Sequence, residues 1–445
     1  MSRPLLQSWQ ATLRRLGDAP AVIEAESGRV TTFRALEERA QAWRAAHPEP
    51  LARRAVVFAL PNGSEWLQIF LGLLHAGAVA VPLDAGEPDT AQQEVAAAIH
   101  AGFRWTGARL APLAAAHRFR DEELCLLKLT SGSTGRPRPL AFTDAQMLAD
   151  GRQILRTMAI TRRDLNYALI PLGHSYGLGN LTLPLLSEGI PLVVGSLPLP
   201  QVIAGDFARW RPTVFPGVPP IFRGLAESTV DAAALRSLRL AISAGAPLPP
   251  EVARAFFDRF RRRIHGFYGS SETGGITYDR AGTATLAGRS VGRPLRGVRL
   301  ALRRGRLRVC SPAVFTHRNR RRHGRLGWWS PPDLAAVAPN GDVRLLGRRG
   351  PVVKIAGRRV SVAEVAARLR RLPGVRDAWV GTGAGDEGML GAAVATDRSL
   401  AELRAALRAD TAPWKLPKRW LLLREFPVTA RGKPDVALLS ARVFG

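Results

Sequence analysis

Residues 127–143 read LKLTSGSTGRPRPLAFT, and the rest of the chain is best understood outward from them. The leucines at 124, 126, 127 and 129 make a short apolar run, which predicts a buried strand. The six residues from Thr130 to Gly135 then hold two Thr, two Ser and two Gly, a composition for neither a strand interior nor a helix. Gly132 and Gly135 admit backbone shapes that other residues avoid. With the hydroxyls of Ser131, Ser133 and Thr134 and the exposed N–H groups between them, the turn suits an anionic oxygen cluster such as a phosphate. A plain surface Ser/Gly turn satisfies the same local facts. It is not a Walker-type loop, which ends in Gly-Lys-Ser/Thr on a helix N-terminus. Here Pro137 and Pro139 follow, and no Gly-x-x-x-x-Gly-Lys occurs anywhere.

The bulk of the sequence narrows the class. At 445 residues the chain exceeds what one core usually organises, so two domains or two lobes are expected. An apolar fraction of 46% with 22% charged residues is that of a folded globular protein, not a disordered one. Cys125 and Cys310 stand far apart and make neither a disulfide framework nor a metal cluster, which fits a reducing compartment. The first twenty residues lack the layout of a signal peptide. The longest apolar stretch, around IFLGLLHAGAVAVPL, carries His75 and falls short of the roughly 20 residues that span a bilayer. A soluble, cytoplasmic protein without a membrane span is the expectation.

The net charge of +28 is large, but the arginines are spread along the whole chain. Local runs at 259–263 (RFRRR) and 318–325 (RNRRRHGR) lack interleaved aromatic platforms, so a nucleic-acid partner is not expected. A solvated face is the first reading, and docking of an acidic carrier or of cofactor phosphates the second. Only five of the 64 basic residues are lysine: Lys128, Lys354, Lys415, Lys418 and Lys433. A chain that so consistently chooses arginine points, where it keeps lysine, to places that need a compact ammonium.

Helical and strand-like segments alternate through the first 290 residues. The helix TTFRALEERAQAWRAAH precedes the strand RAVVFALP, and the helix EWLQIFLGLLHAGA, ended by Gly77, precedes the strand VAVPLDA. Further on come the helices PQVIAGDFARW and PEVARAFFDRF, between strands DLNYALIPL, PLVVGS, PTVFPGVP and LRLAISAG. This predicts an α/β fold, with mixed sheets covered by helices in a large N-terminal lobe. After about residue 290 alternating runs separated by Gly and Asn-Gly read as hairpins. Beyond Gly350 a strand VVKIAGRRV, two helices and three more strands predict a small α+β domain, with 347–350 as linker.

Five further segments bear on the turn. They are PLGHSYGLGN at 171–180, SAGAPLPPEV at 243–252, HGFYGSSETGG at 265–275, GWWSPPDLAAV at 327–337 with GRRGPVVKIAGRRVSVAEV behind it, and FPVTARGKPDVALL at 426–439. In this order and spacing, with the turn itself, the set resembles the acyl-adenylate-forming (AMP-binding) superfamily, which includes acyl- and aryl-CoA ligases. The resemblance covers nearly the whole chain.

It implies an ATP-dependent acid–thiol ligase. A carboxylate is joined to the α-phosphate of ATP, pyrophosphate leaves, and the acyl group passes to CoA. Thr130, Ser131, Gly132, Ser133, Thr134 and Gly135, with Arg138, would hold the β- and γ-phosphates. Glu272 would hold Mg²⁺, with the Thr134 hydroxyl, and Ser271 stands where the family usually has Thr. Gly245, Ala246 and Pro247, with Gly266, Tyr268 and Gly269, would flank adenine. Asp333 would accept from the ribose hydroxyls, and Arg348 would contact ribose or phosphate. Lys433 would set its ammonium between the substrate carboxylate and the α-phosphate, and His174 would gate the acid pocket, formed around 174–180, 243–246 and 268–276. Residues 1–346 would be the adenylation domain and 347–445 a mobile C-terminal domain. Rotation of that domain would bring a face with Lys354 and Gly357 to the site for the thiol step.

Some positions depart from the family pattern. Arg138 and Pro139 replace the usual Lys-Gly, Pro331-Pro332 precede Asp333 where Thr-Gly is usual, Gly350 takes the hinge position, and the segment between Ala85 and Asp121 is short. GHSYGLGN lacks the Asp that peptide-synthetase domains use to grip an amino group, which favours a CoA ligase. Transfer to the phosphopantetheine of an acidic acyl carrier protein, or a degenerate nucleotide-binding homologue, are the alternatives.

Overall fold

The apolar run ahead of the turn forms strand Leu124–Ser131 in the computed structural model. The structure describes residues 3–114, 117–121, 123–131, 137–315, 328–348, 352–355, 358–383, 389–409, 411, 415–429 and 434–445. Contacts divide the chain into two compact units. One holds Met1–Leu300, Val309–Trp329 and Pro339–Val343, and the other Ala301–Arg308, Ser330–Ala338 and Arg344–Gly445.

Two sheets organise the first unit. The smaller is six-stranded, in the order Leu110–Pro112, Phe103–Trp105, Ala55–Ala59, Val79–Leu83, Leu124–Ser131, Pro137–Thr143. Its central strands are parallel, so the segments after Ala59, Leu83 and Ser131 leave from one edge. The larger is nine-stranded. Its parallel strands Asn166–Ala168, Val214–Gly217, Leu240–Ser243 and Ile264–Ser270 likewise release their following loops on one side. In open α/β sheets that carboxyl edge is where ligands bind.

The helix Ser64–His75 is buried on nearly every face, as its apolar sequence requires. Its Trp66 and Phe70 stack with centroids 5.2 Å apart and join a core with Trp9, Phe33 and Phe58. Glu37 is a charged group inside this core. The Glu37 carboxylate accepts from Trp9 Nε1 at 2.6 Å, from Gln10 Nε2 at 3.1 Å and from Gln41 Nε2 at 2.5 Å, and His75 Nε2 lies 3.1 Å away. Burial alone would raise its pKa, but the hydrogen bonds from His75 and Trp9, the His75 charge and Gln41 outweigh it and hold the group at about 2. Its folded value lies below its ordinary value of 4.5, so the stabilisation is complete above pH 4.5 and is lost as pH falls toward 2. Glu37→Gln will remove this dependence. Denaturant titrations will show the gap between wild type and variant narrowing by about 1.4 kcal/mol from pH 7 to pH 3.5, and an unchanged gap would refute the assignment.

The second unit carries the three-stranded sheet Val375–Gly381, Gly391–Thr396, Arg419–Leu423, with helices Val362–Arg370, Leu400–Arg408 and Val436–Phe444. Ser399 caps Leu400–Arg408 with a capping box closed by Glu402.

The structure differs from the sequence reading in three respects. Pro137–Thr143, where no strand was expected, is a strand, and it lies at the sheet edge, where a residue without an N–H donor is tolerated. The single strand expected over 352–360 is a hairpin, with Val353 opposite Val360 and Ile355 opposite Arg358. Alternation of period two cannot separate one long strand from two short ones folded together. Helices Pro4–Leu16, Asp89–Ala98, Asp144–Met158, Pro219–Glu227 and Val436–Phe444 were not expected from the pattern.

Candidate active site

The loops after the two carboxyl edges meet through polar contacts. Asn62, after strand Ala55–Ala59, donates from Nδ2 to the Ile170 carbonyl and accepts at Oδ1 from Leu172 N–H, both at 2.9 Å. This two-point clasp ties the small sheet to the loop bearing His174. Asp84, after strand Val79–Leu83, lies 2.5 Å from His174 Nε2. Neither Asn62 nor Asp84 stands out in the sequence, because each is a polar residue just past a strand and gains meaning only from the loop opposite. His174 precedes a short helical turn, Ser175–Gly177, which continues as a five-residue π-helix, Leu178–Thr182, a distortion frequent at functional sites.

The loop after Leu240–Ser243 contains Gly245 at φ +86°, a conformation that favours glycine and sets the course of Ala246 and Pro247. Both exposed residues follow Ser243, whose Oγ is buried with no hydrogen-bond partner among the described residues. Next to it, Gly266 lies inside a strand, and its N–H donates to Thr285 Oγ1 at 2.8 Å. Tyr268 is buried, and Gly269 sits so close to Gly274 that a Cβ there would approach the Gly274 carbonyl at 2.6 Å. Ser271 and Glu272 occupy the half-buried tip between the two strands of this turn. Phe315 N–H donates to the Glu272 carbonyl at 2.8 Å and holds the tip in place.

Phe315 also connects the Glu272 tip to the strands flanking the Ser/Gly turn. Its ring packs on Phe142 at 6.4 Å and edge-on to Trp329 at 4.9 Å. Arg138 lies over the Trp329 ring at 6.0 Å and Lys128 over the Phe142 ring at 4.2 Å. Thr130 and Arg138 face each other across the hairpin, with Thr130 Oγ1 donating to the Arg138 carbonyl at 3.4 Å. Gly132, Ser133, Thr134, Gly135, Gly357 and Lys433 lie outside the described residues, as do the side chains of Ser131, Arg348 and Lys354. Asp333, buried, opens strand Asp333–Val337 in the second unit, and Arg348 ends strand Val343–Arg348.

The residues brought together in the first unit are therefore Thr130, Arg138, His174, Gly245 to Pro247, and Tyr268 to Glu272, on the carboxyl edges of two parallel arrays. Backbone turns, hydroxyls and one carboxylate with cations close by suit an anionic, phosphorylated ligand. The family model described as "AMP-binding enzyme" matches residues 90–312, just over half of the chain.

The chain belongs to the AMP-binding enzyme family.

Among proteins similar to this AMP-binding enzyme is the feruloyl-CoA synthase of Amycolatopsis sp., 28% identical over 480 residues, covering 96% of this chain and 97% of that one. The 3-hydroxybenzoate–CoA/4-hydroxybenzoate–CoA ligase of Thauera aromatica is 26% identical over 97% of this chain and 94% of its own. The fold matches that of Klebsiella oxytoca NpsA in complex with 3-hydroxyanthranilyl-AMSN, at TM-score 0.82 and 19% identity, with 100% of both chains covered. Both the mixed α/β architecture and the superfamily inferred from the motifs are thus those of the molecule. Among the described residues no helix is long and apolar enough to cross a membrane.

Proposed function

We propose that this AMP-binding enzyme is an AMP-forming ligase that activates an aromatic carboxylic acid and transfers it to CoA. In the first step an acid oxygen bonds to the α-phosphorus of ATP and pyrophosphate leaves. In the second the CoA thiol, losing its proton, bonds to the acyl carbon and AMP leaves. The observation that carries this reading is the meeting of the Asp84, His174, Gly245 and Glu272 loops at the carboxyl edges of two parallel arrays, beside the hairpin bearing Thr130 and Arg138. The aromatic acid is supported by the feruloyl- and hydroxybenzoyl-specific names of relatives that match almost end to end.

In this reading the turn from Thr130 to Arg138 cradles the phosphates, and the loops at 245–247 and 266–269 flank adenine. Asp333 and Arg348 serve the ribose. Glu272, whose loop is pinned by Phe315 N–H, would with Thr134 hold Mg²⁺, which would neutralise phosphate oxygens. His174, paired with Asp84, stands at the acid entrance, and Lys433 offsets the repulsion between carboxylate and α-phosphate. Residues 1–346 form the adenylation domain, and 347–445 the mobile domain that supplies Lys433 for adenylation and the Lys354 and Gly357 face for the thiol step. Two buried cysteines that form no disulfide fit a cytoplasmic enzyme.

The test is ATP–pyrophosphate exchange with purified protein and MgATP, over aryl, short-, medium- and long-chain acids. Exchange with aryl acids, and acyl-CoA formed when CoA is added, is the expected result. Lys433→Ala will lower exchange about 100- to 1,000-fold, as loss of a charge acting on the transition state does, and will leave nucleotide affinity nearly intact. MgATP binding without exchange for any acid would overturn the ligase reading in favour of a nucleotide-binding homologue. Thioester formed only with a carrier protein would overturn CoA as acceptor.

A further inference from the structure

Lys128 and Asp150 are charged residues inside the protein, 6% and 2% exposed. Lys128 is the second residue before the Ser/Gly turn, and Asp150 lies in the helix Asp144–Met158 that follows the hairpin. Asp150 presses on glycines expected to line the acid pocket. Its Oδ1 accepts from Gly275 N–H at 2.9 Å, and a Cβ on Gly274 would lie 2.3 Å from that oxygen. A Cβ on Gly179, from the His174 loop, would lie 3.1 Å from Oδ2. Oδ2 has no hydrogen-bond partner among the described residues. The Lys128 ammonium rests on the Phe142 ring, and burial pulls its pKa down against the fields of Asp150, Cys125 and Glu272. Burial likewise pushes Asp150 up, against Lys128 and the Gly275 N–H. The two feel each other, yet no ion pair within 4.0 Å joins them among the described residues.

Such an arrangement is costly as mere structure. A buried charge without close partners loses its hydration, and an apolar pair of the same size would be no worse for stability. Leucine and methionine would continue the apolar pattern of strand Leu124–Ser131 and of the core-facing side of the helix. A small group that both donates and accepts would satisfy the pair together. A hydroxyl does so, donating its proton to Asp150 Oδ2 and accepting from the Lys128 ammonium.

We propose that Lys128 and Asp150 form the specificity-determining pair at the inner wall of the acid pocket, and that they read a hydroxyl group on the substrate acid. The inference rests on the ligase reading above and narrows its substrate to a hydroxylated aryl acid. An acid lacking the hydroxyl leaves Asp150 Oδ2 without a hydrogen bond and the Lys128 ammonium with the Phe142 ring alone among the described residues, and sites of this kind reject the stripped analogue strongly.

The experiment compares ATP–pyrophosphate exchange for matched acids: benzoate with 3- and 4-hydroxybenzoate, and cinnamate with 4-hydroxycinnamate. In the wild type, kcat/KM for one hydroxylated member will exceed that of its parent by at least about 100-fold. Lys128→Met and Asp150→Asn will each shrink that ratio at least about tenfold, chiefly through KM of the hydroxylated acid. Should either single variant fail to fold, Lys128→Met/Asp150→Leu replaces the pair by apolar groups of similar volume and will reverse the preference toward the parent acid. Equal use of hydroxylated and parent acids by the wild type overturns the inference while leaving the ligase intact. So does an equal fall for every acid in the variants, which would mean that Lys128 serves the Glu272 side instead. Exchange with no acid at all overturns the ligase reading and this inference with it.

Discussion

Arg3→Met will destabilise the first unit by about 3–5 kcal/mol, the cost of leaving a buried carboxylate without its cation. Arg3 stands just ahead of the helix Pro4–Leu16. Its Nε donates to Asp144 Oδ2 at 3.1 Å, Nη1 to the Ala78 carbonyl at 3.1 Å, and Nη2 to the Leu124 carbonyl at 2.5 Å. One guanidinium thus joins the N-terminal helix to two neighbouring strands and to the first residue of the helix that carries Asp150. Asp144 is 1% exposed, and its Oδ1 already lacks a partner among the described residues. Methionine keeps the volume of the arginine stem, so the loss is the charge and its hydrogen bonds. Urea titration will show the fall, and Arg3→Met/Asp144→Asn will recover at least about 1 kcal/mol of it, since a neutral amide is cheaper to bury. A loss below about 1 kcal/mol for Arg3→Met would show that water reaches Asp144 and that the clasp is ornamental.

The second large effect is expected at Gly274. Its φ of +68° is a left-handed conformation, which costs an alanine about 1 kcal/mol. A Cβ there would also lie 2.3 Å from Asp150 Oδ1 and 2.4 Å from Cγ, and that carboxylate is fixed by Gly275 N–H. Crowding of this kind adds about 1–3 kcal/mol. Gly274→Ala will therefore cost about 2–4 kcal/mol. On the proposed role of Glu272, two residues earlier on the same tight turn, acid-dependent exchange will fall about 100-fold, the cost of a misplacement of about 1 Å. In an Asp150→Ala background the same substitution will cost only the left-handed part, about 1 kcal/mol. Equal costs in the two backgrounds would mean that the close approach of Asp150 is not what demands glycine.

Both effects trace to contacts between segments far apart in sequence, and the same division runs through the site. Thr130, Arg138, His174 and Glu272 were legible because each sits in a short motif whose local composition is unusual: hydroxyls and glycines after an apolar run, a histidine among glycines, a carboxylate after Tyr-Gly-Ser-Ser. Asn62, Asp84 and Asp150 were not. Asn62 looks like half of a Pro-Asn turn, Asp84 like the end of a strand, and Asp150 like the polar face of a helix. Their partners, the Ile170–Leu172 backbone, His174 and Gly275, lie tens to more than a hundred residues away. Lys128 was marked only by the rarity of lysine, and its position on Phe142, in the fields of Asp150 and Glu272, needed the sheet.

The fold divides in the same way. Helices Pro200–Trp210 and Pro250–Phe260 match their sequence bounds, because proline at the start and apolar spacing inside are local signals. The strand Pro137–Thr143 ran against its own prolines, and only an edge position in the six-stranded sheet allows it. What the amino-acid order determined by itself is the alternation of elements and the family, since periodicity, glycine and hydroxyl placement act over a few residues. What tertiary structure alone decided is which loops share an edge and which buried charges face each other. Those depend on the parallel register of strands, and a single strand carries no record of its neighbour.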